Sequence, residues 1–205
     1  MKTDRTIRQV RSVPSKFDVR SDDNGMHIEG YFAVFNSNYE IYPGVTESVA
    51  PEAFNTTLGG DIKALCDHDT RLVLGRNKAG TLELRVDSHG LWGRIDINPN
   101  DTDAVNLYER VKRGDVDQCS FGFEIVKEES DFRDDGSVHF TIREVILYEV
   151  SVVTFPAYAE TSVSARKHDV AEIQKRKLDA WRIATRERLK GENHGTESSD
   201  AAQKN

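Results

Sequence analysis

The sequence predicts a mixed, mainly β domain, and three observations carry that expectation. Strand-like runs recur, alternating apolar and polar with period two in short stretches at 26–35, 81–86, 91–97 and 118–125 and apolar on both faces in a longer one at 138–155. Those runs are separated by clusters of Gly, Pro, Asn and Asp, the residues that favour turns. Ahead of the charged run that starts near residue 167, the clearest helical spacing between capping residues lies at Asp101–Gly114.

Composition narrows the class. The chain has 205 residues, 37% hydrophobic and 31% charged, enough for one domain with a core plus polar extensions. A net charge of -7 argues against a generic or specific nucleic-acid binder. Cys66 and Cys119 show neither metal-ligand spacing nor a disulfide framework, which suits a reducing compartment. No apolar run approaches membrane-spanning length, and the first residues lack the apolar stretch of a secretory signal, so a cytoplasmic product is expected.

Taken in order, residues 1–22 are polar and basic, with Arg5, Arg8, Arg11, Lys16 and Arg20, and read as a solvated flexible arm. Asp22–Gly25 is a turn. Met26–Phe35 reads as a strand with Ile28, Gly30, Phe32 and Val34 on one face. Pro43 and Gly44 punctuate the loop that follows. Residues 50–58 read as a short helix, with Pro51 in its first turn and Gly59-Gly60 as its stop. Ile62–Cys66 and Leu72–Gly75 are short strands around Asp67-His68-Asp69. Runs 81–86 and 91–97 make a hairpin across Asp87-Ser-His-Gly90.

The helix from Asp101 or Thr102 places Ala104, Leu107, Tyr108 and Val111 on one face, and Gly114 ends it. It delivers the chain to the strand Asp115–Glu124. There Cys119, Phe121, Phe123 and Ile125 share a core face, while Gln118, Ser120, Gly122 and Glu124 share the other. A glycine beside Ser120 leaves room for a backbone or a substrate to approach. Residues 128–136 read as a charged exposed loop. The longest β-like run, 138–155, is apolar on both faces and suits a central strand. Residues 167–191 form a charged helix with a thin stripe of Val170, Ile173, Trp181 and Ala184, closed by Gly191. Residues 192–205 read as a disordered polar tail. The expected organisation is thus an arm (1–22), a folded domain (23–166), a helix (167–191) and a tail (192–205).

Three side chains call for more than a structural account. His68 sits just past a strand end, where functional residues concentrate on a rigid scaffold. Glu149 interrupts an apolar row, and a buried carboxylate is costly unless hydrogen-bonded or paired. A structural arginine or backbone amide would serve it as well as a catalytic partner. Ser120 stands on an open polar face. Together they fit a base, an orienting acid and a nucleophile. Cys119 is the alternative nucleophile, although alternation turns it into the core, where thiols are inert.

The motifs Gly30-Tyr-Phe-Ala-Val-Phe35, Pro51-Glu-Ala-Phe54, His68-Asp69 followed by Leu74-Gly75, Leu91-Trp-Gly93, Val116–Phe123 and Tyr148–Ala157, present together and in this order, resemble the prohead (capsid maturation) proteases of tailed bacteriophages of the HK97 type. The resemblance covers about Gly30–Ala157. It implies a serine endopeptidase that cleaves scaffolding protein, or the scaffolding segment of the major capsid protein, and itself. It implies no cofactor and no metal. It also implies a closed antiparallel β-barrel of about seven strands with surrounding helices and a helical C-terminal extension, as in herpesvirus assembly proteases.

His68 and Ser120 fall on matching motif positions. For the third member the corresponding strand offers Glu149 and Glu144, with His139 at its start, and Glu149 is favoured by its buried row. The sequence assigns no oxyanion donors; the turn around Pro156–Tyr158, after the Glu149 strand, is a candidate. Major capsid or scaffolding protein and a second copy of the chain are the partners implied. The expected location is the inside of the immature capsid in the host cytoplasm, or the bacterial cytoplasm for a prophage product. A catalytically silent barrel acting as a procapsid scaffold or interaction protein is the competing reading.

Overall fold

The computed structural model describes residues 8–14, 17–22, 25–155 and 160–196. The chain divides into two compact units, residues 1–162 and 163–205.

The first unit is built on two sheets. Strands β1 (Gln9–Pro14), β2 (Asp18–Asp22) and β3 (Gly25–Val34) come first, then β4 (Tyr39–Tyr42) and β5 (Val45–Val49). A short 3-10 turn, Pro51–Phe54, precedes β6 (Lys63–Cys66) and β7 (Asp69–Arg76). The hairpin of β8 (Leu82–Val86) and β9 (Gly90–Ile97) leads to α1 (Thr102–Arg113), and β10 (Gln118–Phe132) and β11 (Val138–Val153) complete the unit. The larger sheet runs β1-β10-β11-β5-β4, with β6 also on β11 and β7 on β6; the smaller runs β2-β3-β9-β8.

Local chemistry explains most of these elements. Asp101 caps α1 by accepting from Asp103 N and Ala104 N at 3.0 and 3.2 Å, a contact worth about 1 kcal/mol. Gly114 ends the helix with φ 85°, in the left-handed region that glycine enters without steric cost. Ala104, Leu107, Tyr108 and Val111 are all buried, as their spacing requires, and each large apolar side chain contributes about 2 kcal/mol. One continuous core joins Ile28, Phe32 and Ile95 of the smaller sheet to Phe121, Phe123 and Val150 of the larger one. In β3 the alternation holds from Ile28 to Phe32; a bulge between Tyr31 and Ala33 then turns Ala33 inward and leaves Val34 half-buried.

β11 positions the site. Its 16 residues are long enough for two parallel neighbours on one edge: β5 pairs along Val138–Ile142, and β6 along Glu149–Val152. β10 takes the other edge in antiparallel register, with Ser120 opposite Ser151 and Gly122 opposite Glu149.

Several expectations are corrected. Among the described residues of the expected arm, Gln9–Pro14 and Asp18–Asp22 are strands, because β10 and β3 offer sheet edges that satisfy their backbone. The loop punctuated by Pro43 and Gly44 is the β4–β5 hairpin, with Gly44 at φ 84°. The helix expected over 50–58 shrinks to a 3-10 turn. The charged segment 128–136 is largely strand: β10 runs on to Phe132, its polar residues facing solvent along a hairpin. Closure into a barrel needs the last strand to pair with the first at a fixed stagger. Here the strand path ends at β1 and β4, and no ring closes among the described residues.

The helix α2 spans Glu160–Thr196 and makes up most of the described part of the second unit. It passes through Gly191, since one glycine costs a helix only about 1 kcal/mol. Leu178, Trp181, Ile183 and Leu189 are exposed along it. The tail expected over 192–205 begins as helix to Thr196, and the rest lies outside the described residues. No helix among the described residues is long and apolar enough to cross a membrane.

Candidate active site

His68 owes its position to a two-residue turn. β6 and β7 are joined by Asp67-His68, both with positive φ, 47° and 60°. That is the backbone a tight type I′ hairpin demands, here without the usual glycine. Such strain persists only where the surroundings impose it. Asp67 supplies the restraint. Its N–H donates to Val152 O at 3.0 Å, and its carboxylate accepts from Thr154 N at 2.7 Å and Thr154 Oγ1 at 3.2 Å. The turn is thereby tied to the end of β11, and His68 reaches back along that strand to Glu149.

His68 Nδ1 donates to Glu149 Oε1 at 2.7 Å. A carboxylate can only accept, so the proton sits on Nδ1, and the neutral ring carries its lone pair on Nε2. Nε2 is buried without a hydrogen-bond partner. Glu149 is 2% exposed and has two further donors: Ser151 Oγ to Oε2 at 2.6 Å and Arg8 Nη2 to Oε1 at 2.6 Å. Burial pushes its carboxyl up, but the bonds from His68, Ser151 and Arg8 together outweigh burial and hold it below the usual glutamate value.

Ser120 is fully buried beneath β1. Its Oγ donates to the Arg11 carbonyl at 2.8 Å, and Ser12 lies opposite it in the ladder. The hydroxyl is therefore engaged with the N-terminal strand and makes no bond to His68. Gly122 does leave room, and that room is filled: a Cβ there would meet Glu149 Oε1 at 2.3 Å and the Arg8 guanidinium at 2.8 Å.

The competing candidates lie elsewhere. Glu144 accepts from Thr56 Oγ1 at 3.1 Å on the exposed side. His139 is held by Thr46 Oγ1 and Ser48 Oγ at 2.8 and 2.9 Å, and burial pushes its imidazole down, towards the neutral form. Cys119 is fully buried, its Sγ donating to Tyr31 O at 2.8 Å. The oxyanion candidates Pro156–Tyr158 lie outside the described residues.

Sequence reasoning missed Arg8, Arg11 and Glu47, because two of them sit on the supposed arm and the third in a supposed loop. The one available signal was the cost of burying Glu149, which called for a polar partner; Ser151 shares its row two residues on.

Comparison with known proteins agrees with the motifs. The model of the caudovirus prohead serine protease family matches residues 15–176. The prohead protease of Enterobacteria phage HK97 is 28% identical over 143 residues, covering 68% of this chain and 59% of that protein, so the match spans under two thirds of the relative's length. The structure of the bacteriophage T4 capsid assembly protease aligns with a TM-score of 0.49 and 10% identity, covering 73% of this chain and 98% of that one. The chain belongs to the caudovirus prohead serine protease family.

Proposed function

We propose that the chain is a serine endopeptidase of phage prohead maturation, with Ser120 as nucleophile, His68 as general base and Glu149 as the acid that orients it. The observation that carries this reading is the part-buried His68–Glu149 hydrogen bond of 2.7 Å, with Glu149 two residues along the β10–β11 ladder from Ser151, the residue opposite Ser120. Glu149 fixes the Nδ1–H tautomer and stabilises the imidazolium that forms when Nε2 takes the Ser120 proton. The protonated Nε2 then returns that proton to the leaving amine. Family membership supports the same chemistry, and the name of the HK97 relative, a prohead protease, supports a substrate within the prohead, for which capsid or scaffolding protein is our proposal. A homodimer is part of the same proposal.

The test is co-expression with the neighbouring capsid or scaffolding protein, comparing wild type and Ser120→Ala by intact mass. Cleavage that disappears in the variant is expected. Cleavage unchanged in Ser120→Ala would remove Ser120 as nucleophile. No cleavage by either, with both proteins folded, would return the scaffold reading.

A further inference from the structure

The N-terminal strand lies on the site as a substrate would. The family match begins at residue 15, so β1 precedes the segment shared with that family. Its sequence, Gln-Val-Arg-Ser-Val-Pro, is a poor core strand, yet it pairs with β10 from Gln9 opposite Phe123 to Pro14 opposite Gln118. An extended peptide adds to a sheet edge in this way, with main-chain bonds holding it and alternate side chains entering pockets.

Two contacts fix the register. The Arg11 carbonyl oxygen accepts from Ser120 Oγ, which brings the Arg11–Ser12 peptide bond to the candidate nucleophile. The Arg11 side chain, 5% exposed, turns into the protein, where its Nε and Nη2 donate to Oε1 and Oε2 of Glu47 at 2.5 and 3.0 Å. Its guanidinium also stands 5.7 Å from the centre of the Phe123 ring. Glu47 is 2% exposed. A carboxylate so buried needs a cation, and the planar fork of Arg fits it on two atoms. The pair borders a pocket of about 290 Å³ lined also by Tyr39, Val49 and Phe121.

We propose that β1 occupies the active site as an internal substrate, and that Glu47 selects Arg or Lys at the residue that supplies the scissile carbonyl. This rests on the serine endopeptidase reading. Ser120 Oγ attacks the Arg11 carbonyl carbon as its proton passes to His68 Nε2. The C–N bond to Ser12 breaks, and His68 protonates the departing Ser12 amine. Water then hydrolyses the Arg11 ester, regenerating Ser120. As the strand lies here, the Oγ proton points at the carbonyl oxygen and His68 Nε2 has no partner. The strand therefore blocks the site until Oγ swings to His68.

The test uses full-length protein and a peptide of the sequence Gln-Val-Arg-Ser-Val, with Lys, Ala or Glu replacing its Arg in three further peptides. Arg11→Glu repels Glu47 and expels β1, so this variant should cleave the Arg peptide faster than wild type does. It should cleave the Arg and Lys peptides about 30-fold or more faster than the Ala and Glu peptides. Adding Glu47→Lys should transfer the preference to the Glu peptide. Should Arg11→Glu fail to fold, Arg11→Ala takes its place with the same ratios expected. Equal rates on all four peptides, lost in Ser120→Ala, overturn the role of Glu47 and leave the protease standing. So does Ser120-dependent cleavage of capsid protein only at bonds that follow no basic residue. Absence of any Ser120-dependent cleavage overturns both.

Discussion

Gly122→Ala places the smallest possible perturbation against the candidate triad. The added methyl would lie 2.3 Å from Glu149 Oε1, whereas ordinary contact begins near 3.4 Å. Arg8, 40% exposed, can swing away into solvent. Glu149 cannot, because it is buried and held by His68, Ser151 and Arg8. Its Oε1 must retreat by about 1 Å, which stretches the 2.7 Å bond from His68 Nδ1 beyond hydrogen-bonding distance. A displacement of that size at a catalytic group costs about 100-fold in rate. The overpacking itself costs about 1–3 kcal/mol of stability. The assay is the rate of capsid or scaffold cleavage followed by intact mass, beside a urea melt. Gly59→Ala is the control, since nothing lies within 4 Å of its added Cβ. A folded Gly122→Ala protein that cleaves at the wild-type rate would refute the claim that Glu149 acts on His68.

Other outcomes follow from the same geometry. Glu149→Gln should lower kcat by about 10⁴-fold, by analogy with the orienting acid of other triads, while Glu144→Gln should stay near wild type in the same cleavage assay; the reverse would transfer the role to Glu144. Because the folded-state pKa of Glu149 is depressed, its contribution to stability is present above the ordinary value of 4.5 and is lost as pH falls through the folded value. The stability gap between wild type and Glu149→Gln, read from urea melts, should therefore be largest near neutrality and shrink in acid. Asp67→Ala should lose about 1–3 kcal/mol by freeing the bonds from Thr154, and should slow cleavage as the His68 turn loosens. Burial, reinforced by Asp67, pushes the Cys66 thiol up to about 11, and Cys119 is fully buried. Iodoacetamide at pH 7.5 should leave the folded protein largely unalkylated by mass, and its proteolysis intact.

Much of the fold was legible because it rests on local signals. The capping Asp101, the face of Ala104, Leu107, Tyr108 and Val111, and the closing Gly114 all act within one helix. The hairpin of residues 82–97 and the strand bearing Ser120 follow from period-two alternation that needs no distant partner to be seen. The candidates His68, Ser120 and Glu149 stood out in the sequence for a similar reason: each departs from its local setting, at a strand end, beside a glycine on a polar face or in an apolar row.

What the chain alone determined, then, were the elements with a strong internal pattern and the side chains that violate it. Tertiary structure decided the rest, because the deciding contacts join residues far apart in sequence. Gln9–Pro14 has little strand character of its own; it is a strand because β10, 109 residues away at Ser120, presents an edge with unpaired backbone groups. Glu47 looks like a loop acid until Arg11 is brought to it. The open pair of sheets was equally hidden, since alternation marks which residues face inward but not which edges meet. Pairing that must first close a long loop leaves no periodic trace in the residues it joins.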